Sequence, residues 1–177
     1  MPFIVIILFG ALASSFALIL ELLSVSLLSL PDQTLFTAIP FTFDGVFSLE
    51  SFFILLGIAF IEETTKYIFL RQYSLRFFAR GGTSFNHSLI LGTLFGLGFA
   101  ILETLFVLNT STLHSSFAVP GILGLHIATS IAFALFLFSP SNSSPQEPKK
   151  RQFGSLSLIS AALVFHTLYN LAILLLF

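Results

Sequence analysis

Apolar residues fill five long stretches of the chain, at about residues 3–28, 47–69, 87–108, 116–138 and 155–177. An α-helix needs about 20 mostly apolar residues to cross the hydrocarbon of a bilayer, and each stretch supplies them. The pattern predicts an all-α, polytopic membrane bundle of about five transmembrane helices, in a single domain over residues 1–177. Turn chemistry separates the stretches: Pro31-Asp32 and Pro40, then Gly81-Gly82, then the short polar run from Asn109 to Ser115. The fourth connection runs from Ser139 through Pro140 and Pro145 to Lys149-Lys150-Arg151, and reads as a flexible linker ending in a basic cluster. Ala11-Leu12-Ala13 matches a small-x-small cleavage pattern. No Lys or Arg precedes it, however, and the apolar run continues to Leu20, so the first stretch reads as an uncleaved span.

Composition strengthens this picture. Hydrophobic residues make up 56% of the chain, charged residues 8%, and the mean hydropathy is +1.02. Soluble domains carry about 25% charged residues, so this surface belongs in a bilayer. The 24 Phe suit lipid-facing and interhelical packing. The absence of Cys excludes disulfides and thiol chemistry. A net charge of −1, with no basic stripe, gives no footing for nucleic acid.

The seven basic residues set an expected orientation. Lys66, Arg71, Arg76 and Arg80 lie at or after the second stretch, and Lys149, Lys150 and Arg151 lie in the fourth connection. The first connection carries Asp32, Asp44 and Glu50 instead. The positive-inside rule places connections two and four in the cytoplasm, with the N-terminus inside and the C-terminus outside the cell membrane. Residues from about Tyr73 to Ala79 read as a short interfacial helix with Phe77 and Phe78 in lipid.

Polar residues inside the apolar runs are the candidate chemistry. A charge at the bilayer centre costs a few kcal/mol on insertion scales, so it persists where it faces protein or water. The second stretch carries Glu62-Glu63-Thr64-Thr65-Lys66. Adjacent helical residues point about 100° apart, so the two acids have different jobs, and two exceed what marking a boundary requires. Glu62 and Lys66 have the spacing of a helical pair; Lys66 reads equally as a snorkelling cation or a structural ion pair. Glu103 lies in the third stretch, beyond a Gly92–Gly96 pair that suits close helix packing. His126 lies near the middle of the fourth stretch, and His166 with Asn170 one turn on lies in the fifth. His87, His114 and Glu21 sit near span edges and read as ordinary interfacial or paired groups.

Peptide hydrolysis needs an activated water, a base and a partner for the developing oxyanion. A buried carboxylate suits the base, two His with a Glu can hold Zn²⁺ with a position open for water, and an amide can donate to the oxyanion. The metal set read from the residues is His126, His166 and Glu103. No HExxH is present, so any ion is assembled from separate helices. The glutamate pair reads nearer the cytoplasm than the histidines, so a common water-accessible site requires a tilted or broken helix, or a cavity open on that side.

The ordered set of EExxK at Glu62–Lys66, FxxxE at Phe99–Glu103, the mid-helix His126 and HxxxN at His166–Asn170 resembles the PrsW-like intramembrane proteases. These group with the CAAX prenyl endopeptidases and the Aph subunit of gamma-secretase. The resemblance covers about residue 55 to the C-terminus. It implies a protease acting on membrane-anchored proteins, with Glu62 or Glu63 activating water, His126 and His166 binding metal or stabilising the oxyanion, and Asn170 assisting. Glu103 stands where CAAX-type members have a His, nearer the PrsW branch. Two departures are Thr104 in place of the usual Asn, and a single span before the EExxK helix. A glutamate-activated water needs no metal, so the ion stays open at this point. So do two other classes: a non-catalytic scaffold of the Aph type, and a small proton-coupled transporter, although no internal repeat accompanies it.

Overall fold

The computed structural model describes residues 2–28, 49–77, 84–110, 115–138 and 148–176. All of these except Ser84 are helical. α1 runs Pro2–Leu28, α2 Leu49–Phe77, α3 Phe85–Thr110, α4 Ser115–Phe138 and α5 Pro148–Leu176. The expected turn residues at 31–32, 40 and 81–82, with His114, Phe78 and Arg80, lie outside the described residues.

Helices form here because an apolar run in hydrocarbon must satisfy its own backbone. Their ends answer to other forces, and two differ from expectation. α2 does not stop near residue 69 to restart as an interfacial helix; it continues unbroken to Phe77. Neither Gly nor Pro interrupts it after Gly57, and Tyr73 turns inward onto Phe9 of α1, ring centroids 5.7 Å apart. α5 begins at Pro148, so Lys149, Lys150 and Arg151 form its first turn rather than the end of a linker. Proline suits that first position because its φ is already helical and its missing N–H would have had no partner. At the start of α3, the Ser84 hydroxyl accepts the backbone N–H of His87 at 3.3 Å, an N-cap.

Among the described residues, four helices contain segments long and apolar enough to span a membrane: Phe3–Ser24, Phe85–Leu105, Ala118–Phe138 and Gly154–Ile173. α2 is as long as α5 but carries Glu62, Glu63 and Lys66 mid-helix. Its charges are turned inward, which is why composition alone sets it apart. The molecule is inside out relative to a soluble domain. Glu63, Lys66 and His126 are 0% exposed, while Phe165 is 68% and Ile4 66% exposed. With those four apolar helices and that apolar exterior, the chain is an integral membrane protein.

α3 packs between α1 and α4, and α2 touches α1, α4 and α5. The closest approaches run over glycine. A Cβ on Gly92 would lie 2.6 Å from Ile131 Cα, and one on Gly96 would lie 2.6 Å from the His126 carbonyl oxygen. The Gly92–Gly96 face thus seats α3 directly on the α4 backbone that carries His126. On the other side, Gly10 meets the Phe95 carbonyl and Gly98 meets that of Ile7, which fixes the register of α1 against α3. Tyr73, Phe95, Phe99, Phe133 and Phe138 fill the apolar core around these seams.

Candidate active site

α2 delivers its two acids to different partners. Glu63 Oε1 receives Lys66 Nζ at 2.5 Å and His166 Nδ1 at 2.7 Å. Lys66 Nζ also donates to Thr129 Oγ1 of α4 at 3.2 Å and lies 4.8 Å from the Phe99 ring centroid. Lys66 is therefore a structural ion-pair cation, completely enclosed, and does not snorkel. Its partner is Glu63, three residues back, rather than Glu62 at four. Thr129 closes this network from α4, and nothing in the sequence marked it.

Glu62 points elsewhere. Its Oε2 lies 3.6 Å from His166 Nε2 and 3.9 Å from His126 Nε2. Glu103 of α3 makes direct contact through Oε2 with His126 Nε2. The two imidazoles stand edge to face, centroids 5.5 Å apart, and the Phe99 ring centroid lies 5.0 Å from that of His126. Glu62, Glu63, Glu103, His126 and His166 thus converge. No broken helix is needed. Because α2 extends to Phe77, Glu63 falls at its centre, and the apparent mismatch in depth disappears. The cluster opens at Glu103, whose side chain is 30% exposed. Asn170, one turn beyond His166, is half-buried and forms no hydrogen bond with the cluster among the described residues.

Glu21 of α1, read from the sequence as an edge residue, reaches into the same group. It is half-buried and close enough to Glu62, Glu103 and Lys66 to interact with their charges. The available signal was that Glu21 is the sole charged residue in the 27 residues of α1.

The donor set fits a divalent cation. One donor atom each from Glu62, Glu103 and His126 lies within 4.8 Å of the others. Glu62 Oε2 is buried without a hydrogen-bond partner. A carboxylate oxygen only accepts, so His166 donates from Nδ1 to Glu63, and its Nε2 faces Glu62. Two carboxylates and an imidazole drawn together, with one buried carboxylate oxygen lacking a partner, are a donor set that suits a cation. The donor atoms that lie together are those of Glu62, Glu103 and His126, with His166 beside them.

No curated protein and no solved structure matches the chain. A family profile does match it, described as PrsW family intramembrane metalloprotease and covering residues 3–177, the whole bundle with all of the converging groups. The chain belongs to the PrsW family of intramembrane metalloproteases.

Proposed function

We propose that the cluster is the active site of an endopeptidase that hydrolyses peptide bonds of membrane-anchored proteins. The observation that carries this reading is Glu62 Oε2: a buried carboxylate oxygen without a partner, facing both imidazoles. Glu62, Glu103 and His126 hold a divalent ion, Zn²⁺ being the one their oxygen and nitrogen donors suit. When bound there, the ion supplies Lewis acidity to the peptide carbonyl and to water. Glu62 also accepts the proton of the attacking water. His166 stands 3.6 Å away with its Nε2 towards that oxygen. Anchored at Nδ1 by Glu63, it takes the proton on and delivers it to the leaving amine, by the logic of a carboxylate-oriented histidine. The Asn170 amide, one turn along α5, donates to the developing oxyanion. The order of the four motifs supports a wider kinship with the CAAX prenyl endopeptidases and Aph proteins.

The test is metal content alongside activity. Purified protein should carry close to one equivalent of a divalent metal, lose cleavage of a membrane-anchored peptide on chelation, and recover it with Zn²⁺. Full activity in the chelated, metal-depleted protein would exclude the ion and leave Glu62 acting alone. A parent chain that cleaves nothing across a panel of membrane-anchored substrates would favour a scaffold.

In this reading α2 also crosses the membrane, at about 43 Å for its 29 residues. Arg71 and Arg76 at its end and Lys149–Arg151 at the start of α5 then share the cytoplasmic side. An N-terminal reporter should be cytoplasmic and a C-terminal one extracytoplasmic. Reporters on the same side would mean an even number of crossings.

A further inference from the structure

A chain of hydrogen bonds crosses three helices from Thr129 to His166. Lys66 Nζ of α2 donates to Thr129 Oγ1 of α4 at 3.2 Å and to Glu63 Oε1 at 2.5 Å. The same Glu63 oxygen accepts His166 Nδ1 of α5 at 2.7 Å. Thr129 is buried and lies in none of the four motifs. It follows His126 by three residues, so the two share a side of α4. Ser15, Ser24 and Thr93 turn their hydroxyls back onto carbonyls of their own helices at 2.8–2.9 Å. The Thr129 hydroxyl stands 3.5 Å from the His126 carbonyl and takes Lys66 on its oxygen.

The α4 end of this chain is fixed. A Cβ on Gly96 would lie 2.6 Å from the His126 carbonyl oxygen and 2.7 Å from Ile127 Cα, so α3 rests directly on this stretch of α4. A β-branched side chain there has few χ1 choices. Lys66 has no such constraint of its own. Its ammonium is a point charge on a flexible four-carbon stem with three rotatable donors, and it could meet Glu63 from many directions. Thr129 and the Phe99 ring, whose centroid is 4.8 Å from Nζ, reduce them. Glu63 depends on that choice. Its Oε1 takes both Lys66 and His166, while its Oε2 is buried without a hydrogen-bond partner among the described residues and supplies no second anchor.

We propose that Thr129 is a positioning residue for His166: by fixing the Lys66 ammonium it fixes Glu63 Oε1, and through that oxygen the aim of His166 at Glu62. The inference rests on the part given to His166 above. Thr129 touches neither substrate nor reacting atoms; it acts through Lys66 and Glu63. It makes α4 responsible for both histidines, carrying one and orienting the other.

This role predicts a pattern that packing alone would not give. Valine keeps the β-branch and nearly the volume of threonine and removes the hydroxyl. Serine keeps the hydroxyl and loses a methyl group. Misplacing a reacting group by about 1 Å can cost about 100-fold in rate. Thr129→Val should therefore lose about 10–100-fold in kcat with KM little changed, while Thr129→Ser stays within a few-fold of the parent. Thr129→Ala, which also lacks the hydroxyl, should resemble Val and serves if the Val variant misfolds. One probe is cleavage of a quenched fluorescent peptide with one apolar transmembrane segment. The other is the low-field imidazole N–H resonance of the detergent-purified protein, assigned to His166 Nδ1 by its absence in His166→Asn. That proton should exchange with solvent faster in Thr129→Val than in the parent or in Thr129→Ser.

A Val variant with the parent's kcat and the parent's N–H signal would overturn the proposal, as would a Ser variant as impaired as Val. A Val variant that loses kcat with the His166 signal intact would overturn the route through His166. So would a parent without that signal. Failure of the wider reading looks different. A parent that cleaves nothing removes the protease, and Thr129 is then decided on the His166 signal, which needs neither substrate nor ion. A Val variant that loses the signal but keeps the parent's kcat removes His166 from the reaction and upholds Thr129 as its anchor.

Discussion

Glu62→Gln is expected to insert and fold like the parent and to lose cleavage by about 10²–10⁴-fold, the usual worth of a general base. Glutamine preserves the shape of the side chain and one oxygen. It cannot take a proton from water. In the metal-depleted protein stability should hold or rise, because there Glu62 Oε2 is buried without a partner and the two nearest imidazole nitrogens are 3.6 and 3.9 Å away. A neutral amide costs less to bury there than a carboxylate. Cleavage of a membrane-anchored peptide and thermal stability must be read on the same detergent-purified samples. A Glu62→Gln protein that cleaves like the parent would remove Glu62 from the mechanism. One that fails to fold would show that the carboxylate is structural.

Much of this site could be seen in the sequence, for a simple reason. In an apolar run, each polar residue is an expense that needs an explanation, and Glu62, Glu63, Glu103, His126 and His166 were visible as such exceptions. Their convergence follows because a bundle in lipid has one place to hide them. Helix ends were less legible. Hydropathy does not govern them: Pro148 starts α5 through its backbone, and Tyr73 prolongs α2 by packing on Phe9. Division of labour was not legible either. Sequence spacing allowed Lys66 to pair with Glu62 or with Glu63, and the choice of Glu63 came from α4 and α5, which bring Thr129 and His166 to the same point. Glu21 was discounted because it lies near the end of its apolar run. Its depth follows from α1 being pinned through Gly10 and Gly98, which depends on α3 and not on α1 alone.

The Glu63–Lys66 pair should separate stability from catalysis. Lys66→Met leaves the Glu63 carboxylate, 0% exposed, without its cation. Breaking a buried pair from one side typically costs about 3–5 kcal/mol, so this variant should show a large drop in apparent unfolding temperature at a fixed scan rate. Adding Glu63→Leu removes the stranded charge. Replacing both partners of a buried pair by apolar groups is often neutral or stabilising, so the double variant should recover most of the lost stability. Cleavage should not recover with it. Without Glu63, His166 loses the acceptor that holds Nδ1 at 2.7 Å, and with it both its tautomer and its aim at Glu62. The structural part of the argument fails if Lys66→Met unfolds at the parent's temperature. If the double variant cleaves at the parent's rate, Glu63 does not orient His166, and the geometry of the EExxK turn must be explained by packing alone. A stable double variant with cleavage abolished would assign the two adjacent acids their separate tasks: Glu62 to the chemistry, Glu63 to holding its partner in place.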